Sequence, residues 1–264
     1  MKQGKEKVCV SKRKSANEPQ GSELDLVQLT SRDEVILEWL FVVRQADLEA
    51  LRWAMGAAGD TDDGSPVTLR NAQRWMMRMH GVGLIGRARP AFRAGSILWP
   101  THVPGLRPPD LYRQTVRHEL AVATVSARYL AAGFTWSRDR RAETMQDHQA
   151  DGLAVKDGRV ELVEVELTPK TKNRYRVIHT SHADRITEGI SRVVYICTPA
   201  AARTVSREAD RHIFRDIRPR LVTLPAVDNQ GKWIASDEAL WQDMLPTVPA
   251  PHLEAPELFD GRFA

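Results

Sequence analysis

The chain has 264 residues and a formal net charge of +4, and its hydrophobic and charged fractions, 42% and 27%, are typical of a globular protein. Its two cysteines, Cys9 and Cys197, form neither a disulfide framework nor a zinc-binding set, so we expect a reducing cytoplasmic location. No apolar run approaches the ~20 residues needed to span a bilayer, and the lysine-rich start lacks the apolar segment of a signal peptide.

The positive charge is concentrated at the start of the chain. The first fourteen residues carry six basic residues and one acidic residue, so the other 250 residues sum to −1. This composition predicts a basic, disordered arm over residues 1–28. Because the bulk charge belongs to the arm, an argument for DNA binding must rest on the local distribution of charge.

Three helices followed by two short strands are predicted for residues 29–100. Thr30 to Asp33 has the sequence of a helix cap, and apolar residues then recur at helical spacing up to Val43. The further predicted elements are two helices, Ala46–Met55 and Thr68–His80, and two strands, Leu84–Arg89 and Ala94–Trp99. This is the element order of a winged helix-turn-helix domain, in which the third helix enters the major groove of DNA.

The third predicted helix carries a stripe of arginines. Arg70, Arg74 and Arg78 stand four residues apart, so they share one helix face. The stretch Thr68–Arg93 contains no acidic residue, which favours contact with double-stranded DNA over the alternatives of a plain surface helix or a dimerisation module. The candidate DNA-binding residues are Arg70, Asn71, Arg74, Arg78, Arg87, Arg89 and Arg93.

A proline-rich linker over residues 101–110 separates this domain from a second one over residues 111–225. The second domain is predicted to contain a helix, a strand, a hairpin, and then a helix, strand, helix and strand. We therefore expect an α/β or α+β layer with a central mixed sheet. Residues 226–264 are rich in proline and acids and predict an irregular tail.

The hairpin gathers acidic residues. Asp157-Gly158 lies between two alternating apolar runs, which predicts antiparallel strands over Gln149–Val155 and Val160–Leu167. Alternation then puts Glu164 and Glu166 on one face, with Asp151 within cross-strand reach. Carboxylates this close are tolerated when solvent or a divalent cation neutralises them, so this face is either a wet surface or a metal site.

This acid, hairpin and Glu-x-Glu pattern resembles the PD-(D/E)xK nuclease fold. The resemblance implies a Mg²⁺ or Mn²⁺ site made by Asp151, Glu164 and Glu119, the last on the preceding helix. The pattern departs from the family at Glu166, where a lysine is normal, so either Lys170 or Lys172 replaces that lysine or the site is weakened. The catalytic candidates are Asp151, Glu164, Glu166, Lys170, Lys172 and Glu119.

The chain as a whole resembles the replication-relaxation family of plasmids and integrative mobile elements. The resemblance rests on the predicted winged helix, on His118-Glu119-Leu120, on Trp136, on Asp151-Gly152 and on the acidic strand Glu164–Glu166. It implies a DNA-binding protein that acts in replication or mobilisation, together with replication or transfer proteins as partners.

Three functional interpretations remain open from the sequence. The protein is a DNA-binding accessory or initiator, a Mg²⁺-dependent endonuclease or nickase, or a transcriptional regulator with an inactive α/β domain. Tyrosine relaxase chemistry is set aside because that class places two metal-binding histidines around a single apolar residue, whereas Thr180 and Ser181 separate His179 from His182. His118 and His148 stand alone in the sequence, and lone histidines are expected to be packing or surface residues.

Overall fold

A computed structural model describes residues 28–61, 64–90, 95–103, 105, 107–144 and 147–236. Within these residues the fold is mixed α/β, with six α-helices and two sheets. The predicted arm up to residue 27, Arg93, and the predicted tail beyond residue 236 lie outside the described residues. In the described part of the chain, no helix combines the length and apolar character needed to cross a membrane.

The first half of the chain folds around a small antiparallel sheet. Its elements are α1 (Ser31–Val43), β1 (Ala46–Asp47), α2 (Leu48–Met55), a π-helical segment (Gly56–Asp60), α3 (Leu69–Gly81), β2 (Ile85–Ala88) and β3 (Ile97–Pro100). The strand order is β1-β3-β2, and both pairings are antiparallel. The sequence prediction was wrong at Ala46, which pairs with Leu98 in β1 before α2 begins.

The predicted cap of α1 is confirmed. The Thr30 hydroxyl accepts a hydrogen bond from the Asp33 amide at 3.3 Å, and an Asp33 carboxylate oxygen accepts one from the Thr30 amide at 2.9 Å. These two bonds satisfy amides that the helix itself leaves without partners. The start of α1 is therefore determined by local sequence.

The second half contains one helix, a five-stranded mixed sheet and two further helices. Its elements are α4 (Thr115–Ala131), β4 (Thr135–Ser137), β5 (Gly152–Lys156), β6 (Arg159–Glu166), α5 (Lys172–Thr187), β7 (Arg192–Cys197), α6 (Pro199–His212), a 3₁₀ turn (Arg218–Arg220) and β8 (Leu221–Pro225). The strand order is β4-β5-β6-β7-β8; β4, β5 and β6 are antiparallel, and β6, β7 and β8 are parallel.

The predicted β5–β6 hairpin is confirmed. Asp157 and Gly158 both have positive φ, 50° and 75°, as a two-residue type I′ turn requires. At the other end of β5, a Cβ atom on Gly152 would lie only 2.0 Å from the Trp136 ring. Because any larger residue would collide with this indole, glycine at position 152 allows Trp136 to cover the start of β5.

Helix α4 packs against both halves of the molecule. Its small residues Ala123 and Ala127 belong to the core of the first half, whereas Val125 and Tyr129 pack against the five-stranded sheet. The Trp39 indole donates a buried hydrogen bond of 3.0 Å to the hydroxyl of Ser126, also on α4. The two predicted domains therefore share a helix in addition to being joined by a linker.

Candidate functional site

Helix α3 presents polar and basic side chains to solvent. Arg70, Asn71 and Arg74 are exposed, and the Arg74 guanidinium donates a 2.6 Å hydrogen bond to the Asn71 side-chain oxygen. The opposite side of α3 is apolar, because Trp75 and Met79 are buried in the core. The amphipathic pattern expected from the sequence is thus present, with the side chains of Arg70 and Arg74 exposed on its basic side.

Arg78 differs from the other arginines of the stripe. It is half-buried and forms an ion pair with the fully buried Asp33, which also accepts a 2.8 Å hydrogen bond from the Trp75 indole. Burial alone would raise the pKa of Asp33, but its hydrogen bonds with Thr30, Trp75 and Arg78 outweigh burial and lower the pKa. Arg78 therefore holds α3 against the start of α1, in addition to lying on the basic stripe.

Two further arginines lie beside α3. Arg87 and Arg89 are exposed on and just after β2, while Arg93 is outside the described residues. Together with α3 these residues border an open groove of about 570 Å³. The polar and exposed lining residues of this groove are Gln73, Met77, His80, Arg87, Arg89 and Ser96. We call this surface the α3 face: Arg70, Asn71, Gln73, Arg74, Met77, Arg87 and Arg89.

Asp151, one of the three carboxylates predicted to bind Mg²⁺, makes its contacts with other groups of the protein. One of its oxygens accepts a 2.8 Å hydrogen bond from the Val165 amide and lies 3.2 Å from the imidazole of His118. Burial alone would lower the pKa of His118, but the hydrogen bond and charge of Asp151 outweigh it and raise the pKa to about 9. A charged His118 therefore neutralises Asp151 at neutral pH.

Glu119 lies on α4 next to His118 and accepts a 2.8 Å hydrogen bond from the side chain of Gln45. Close to Asp151 is a polar pocket of about 390 Å³ that three arginines line, namely Arg44, Arg138 and Arg141. The pocket combines these three arginines with two carboxylates, Asp139 and Asp151. It is a second basic surface, outside the α3 face.

Glu166 stands where the nuclease pattern expects lysine, and it forms an ion pair with Lys170. Burial raises the pKa of Glu166, Lys170 opposes this effect, and the neighbouring carboxylates Glu164 and Asp151 reinforce it. Lys172 is exposed at the start of α5. Of the two lysines weighed from the sequence, Lys170 is therefore the one that pairs with the carboxylate.

Glu164 lies in a different environment from the other predicted carboxylates. The predicted alternation along β6 is confirmed, because Val163 and Val165 pack on the α4 side of the sheet and Leu162 on the α5 side. However, α5 covers the acidic face, and Glu164 and Glu166 are only 3% and 5% exposed. Of the two alternatives left open by the sequence for this face, a wet surface or a metal site, the wet surface is therefore wrong.

Two histidines approach the buried Glu164 carboxylate. The Nε2 atoms of His148 and His182 lie 2.7 Å and 3.1 Å from the same oxygen, Oε1. Burial would raise the pKa of Glu164, but the two imidazoles outweigh burial and lower this pKa. The pKa of His182 is also lowered, because burial disfavours the charged imidazolium more than Glu164 favours it. Among the described residues these three side chains form the group with the spacing of a metal site.

The surrounding chain holds this His148–Glu164–His182 cluster in place. The His148 amide donates to the Asp147 carboxylate at 2.8 Å and to the hydroxyl of Ser181, the residue before His182 on α5, at 3.1 Å. The Tyr195 hydroxyl on β7 lies 3.1 Å from Nδ1 of His182. The segment before β5, strand β6 and helix α5 thus meet at one buried carboxylate.

The structure does not unite the three carboxylates predicted to bind Mg²⁺. Asp151 is bound to His118, Glu119 to Gln45, and Glu164 lies between two histidines. The sequence analysis took His148 for a lone histidine and rejected His179 and His182 as a relaxase pair, so it missed this arrangement. The one available signal was the position of His182 on a predicted helix that follows the acidic strand, and this signal is too weak to identify a ligand.

Comparison of the chain with models of protein families, with curated proteins and with solved structures finds no match.

Proposed function

We propose that this protein binds double-stranded DNA through the α3 face. The observation that carries the proposal is the pair of exposed arginines on α3, Arg70 and Arg74, together with Arg87 and Arg89 beside an open groove. Arginine guanidinium groups donate strong hydrogen bonds to phosphate oxygens, which receive most protein–DNA hydrogen bonds. The resemblance to the replication-relaxation family suggests a setting, which is the replication or mobilisation of a plasmid or integrative element.

The arrangement of the first half supports this proposal. The order α1-β1-α2-α3-β2-β3, with the strands ordered β1-β3-β2, is compatible with a winged helix-turn-helix domain. In that domain the third helix enters the major groove and the hairpin lies along the backbone. Arg70 and Arg74 on α3 and Arg87 on the hairpin would then contact the same duplex.

The second half favours a scaffold that resembles the nuclease fold but in which the predicted carboxylates do not cleave DNA. The order α4-β4-β5-β6-α5-β7 matches the helix and strand order of the PD-(D/E)xK core, and Asp151 directly precedes β5. Against catalysis, Glu164 is enclosed by histidines and Glu166 is paired with Lys170. A Mg²⁺-dependent nickase is the second candidate function, because the arginine-lined pocket beside Asp151 could hold a phosphate.

Titration of a labelled duplex with the full chain, followed by fluorescence anisotropy at several salt concentrations, tests the proposal. If four arginines of the α3 face contact phosphates, affinity should fall roughly 100-fold between 50 and 200 mM salt. Binding that does not change with salt, or no binding at low salt, would contradict it.

A nicking assay on supercoiled plasmid distinguishes the two candidate functions. We expect the plasmid to stay intact with Mg²⁺ or Mn²⁺ under conditions in which the protein binds it. Nicking that needs the metal and disappears in Asp151→Ala would instead support the nuclease.

A further inference from the structure

We propose that His148, Glu164 and His182 bind one divalent transition-metal ion of the zinc type. This site differs from the Mg²⁺ set expected from the sequence, since it shares only Glu164 with it. It does not depend on the DNA-binding proposal, because the cluster lies in the α/β half and the α3 face in the other.

The spacing of the three ligand atoms supports a shared ion. Nε2 of His148 and Nε2 of His182 lie 2.7 Å and 3.1 Å from Oε1 of Glu164, and all three atoms lie within 4.8 Å of one another. Ligands bound to one zinc ion at about 2.0–2.2 Å are themselves roughly 3 Å apart. Small movements of the side chains are therefore enough to complete coordination.

The same three atoms also lack hydrogen-bond partners, which supports a shared ion independently of their spacing. All three are buried and none has a hydrogen-bond partner of acceptable geometry, despite the short distances between them. His182 is 0% exposed and Glu164 is 3% exposed, so water does not compensate them from the surface. One cation would satisfy the two nitrogen lone pairs and the carboxylate oxygen together.

The neighbouring groups suit metal binding by Nε2. If a metal binds Nε2 of His182, the Nδ1 atom of the same ring carries the proton. The Nδ1–H group then donates a hydrogen bond to the Tyr195 hydroxyl, which lies 3.1 Å away. Such an outer contact fixes the tautomer and the ring orientation of a metal-binding histidine. The His148 side chain is 11% exposed, which gives an ion a route into the site from that side.

The chemistry of the donors selects the metal. Two imidazole nitrogens and one carboxylate oxygen are a common set for zinc and other first-row transition metals. Mg²⁺ and Ca²⁺ prefer sites made of oxygen atoms alone. A zinc ion here would join the segment before β5, strand β6 and helix α5, and so stabilise the α/β half.

Zinc binding by the full chain tests the proposal directly. We expect chelator-treated protein to bind one zinc ion per chain by calorimetry, to unfold at a higher temperature with zinc, and to show no such shift with Mg²⁺. His148 is the least buried of the three ligands, so the His148→Gln variant should fold. It should lower zinc affinity at least 100-fold, because removing a ligand costs more than the roughly 10- to 100-fold lost when a residue that hydrogen-bonds to a ligand is changed.

His118→Gln is the matched control, because it removes a histidine that pairs with a different carboxylate, Asp151. It should retain zinc binding, and Tyr195→Phe should weaken zinc binding by roughly tenfold. Wild-type protein without zinc binding, or His148→Gln with unchanged affinity, would overturn the proposal. Because duplex titration reports on the α3 face, either proposal can fail while the other stands.

Discussion

The double substitution Arg70→Ala and Arg74→Ala should weaken duplex binding by about tenfold or more. It should also make the plot of log affinity against log salt concentration less steep, by about two units of slope. Both side chains are exposed on α3 and they stand one helix turn apart. Their removal deletes two positive charges without disturbing the core, so the effect should appear in binding and not in stability. Anisotropy titrations at two salt concentrations measure both quantities.

The matched control is the double substitution Arg203→Ala and Arg215→Ala. Both arginines are exposed, Arg203 on α6 and Arg215 just after it, and α6 packs on the sheet face opposite α4. The control has the same change in net charge, so its affinity should stay close to that of the wild type. Equal losses in the two double variants would show that bulk charge, and not the α3 face, drives binding.

Arg78 is left out of this test for a structural reason. Its guanidinium compensates the buried Asp33 carboxylate, which also caps α1. An alanine at position 78 would leave that carboxylate without its cation and would destabilise the first half. A loss of DNA binding in such a variant could not be assigned to lost contact.

Arg185→Met should destabilise the protein by roughly 3–5 kcal/mol, because it leaves the buried carboxylate of Asp139 without its cation. Arg185 on α5 donates two hydrogen bonds to Asp139, at 2.5 and 2.8 Å, and both side chains are less than 10% exposed. Asp139 also accepts a hydrogen bond of 2.8 Å from the Ala150 amide. The ion pair therefore fixes the segment before β5 on α5, and urea unfolding measures the loss.

Arg140→Met provides the comparison for this prediction. Arg140 pairs with Asp147 in the same segment, but its side chain is 45% exposed. An exposed ion pair contributes about 0–1 kcal/mol, so this variant should unfold close to the wild-type urea midpoint. If Arg140→Met and Arg185→Met shifted the midpoint equally, burial of the Asp139 pair would not determine its contribution.

Features that depend on neighbours in sequence could be predicted from the sequence. The Thr30 and Asp33 cap, the Asp157-Gly158 turn and the alternation along β6 are determined within a few residues. Strand β1 was missed because its two residues are too few to show a period, and they became a strand only by pairing with β3.

The candidate sites were harder to predict, because their partners are distant in the chain. Asp33 and Arg78 are 45 residues apart, so nothing local indicates that this arginine is paired. His148 in the segment before β5, Glu164 on β6 and His182 on α5 are brought together only by the tertiary fold. The acids of β6 were identified, whereas the helix that covers them was not expected to bury them.

Site-specific crosslinking tests the α3 face most directly. A photoreactive p-benzoylphenylalanine replaces either Met77, exposed on α3, or Phe214, which is 76% exposed beyond the end of α6. On illumination with labelled duplex, we expect a covalent adduct from position 77 and none from position 214. An adduct from position 214 alone, with both variants still binding DNA, would contradict the account.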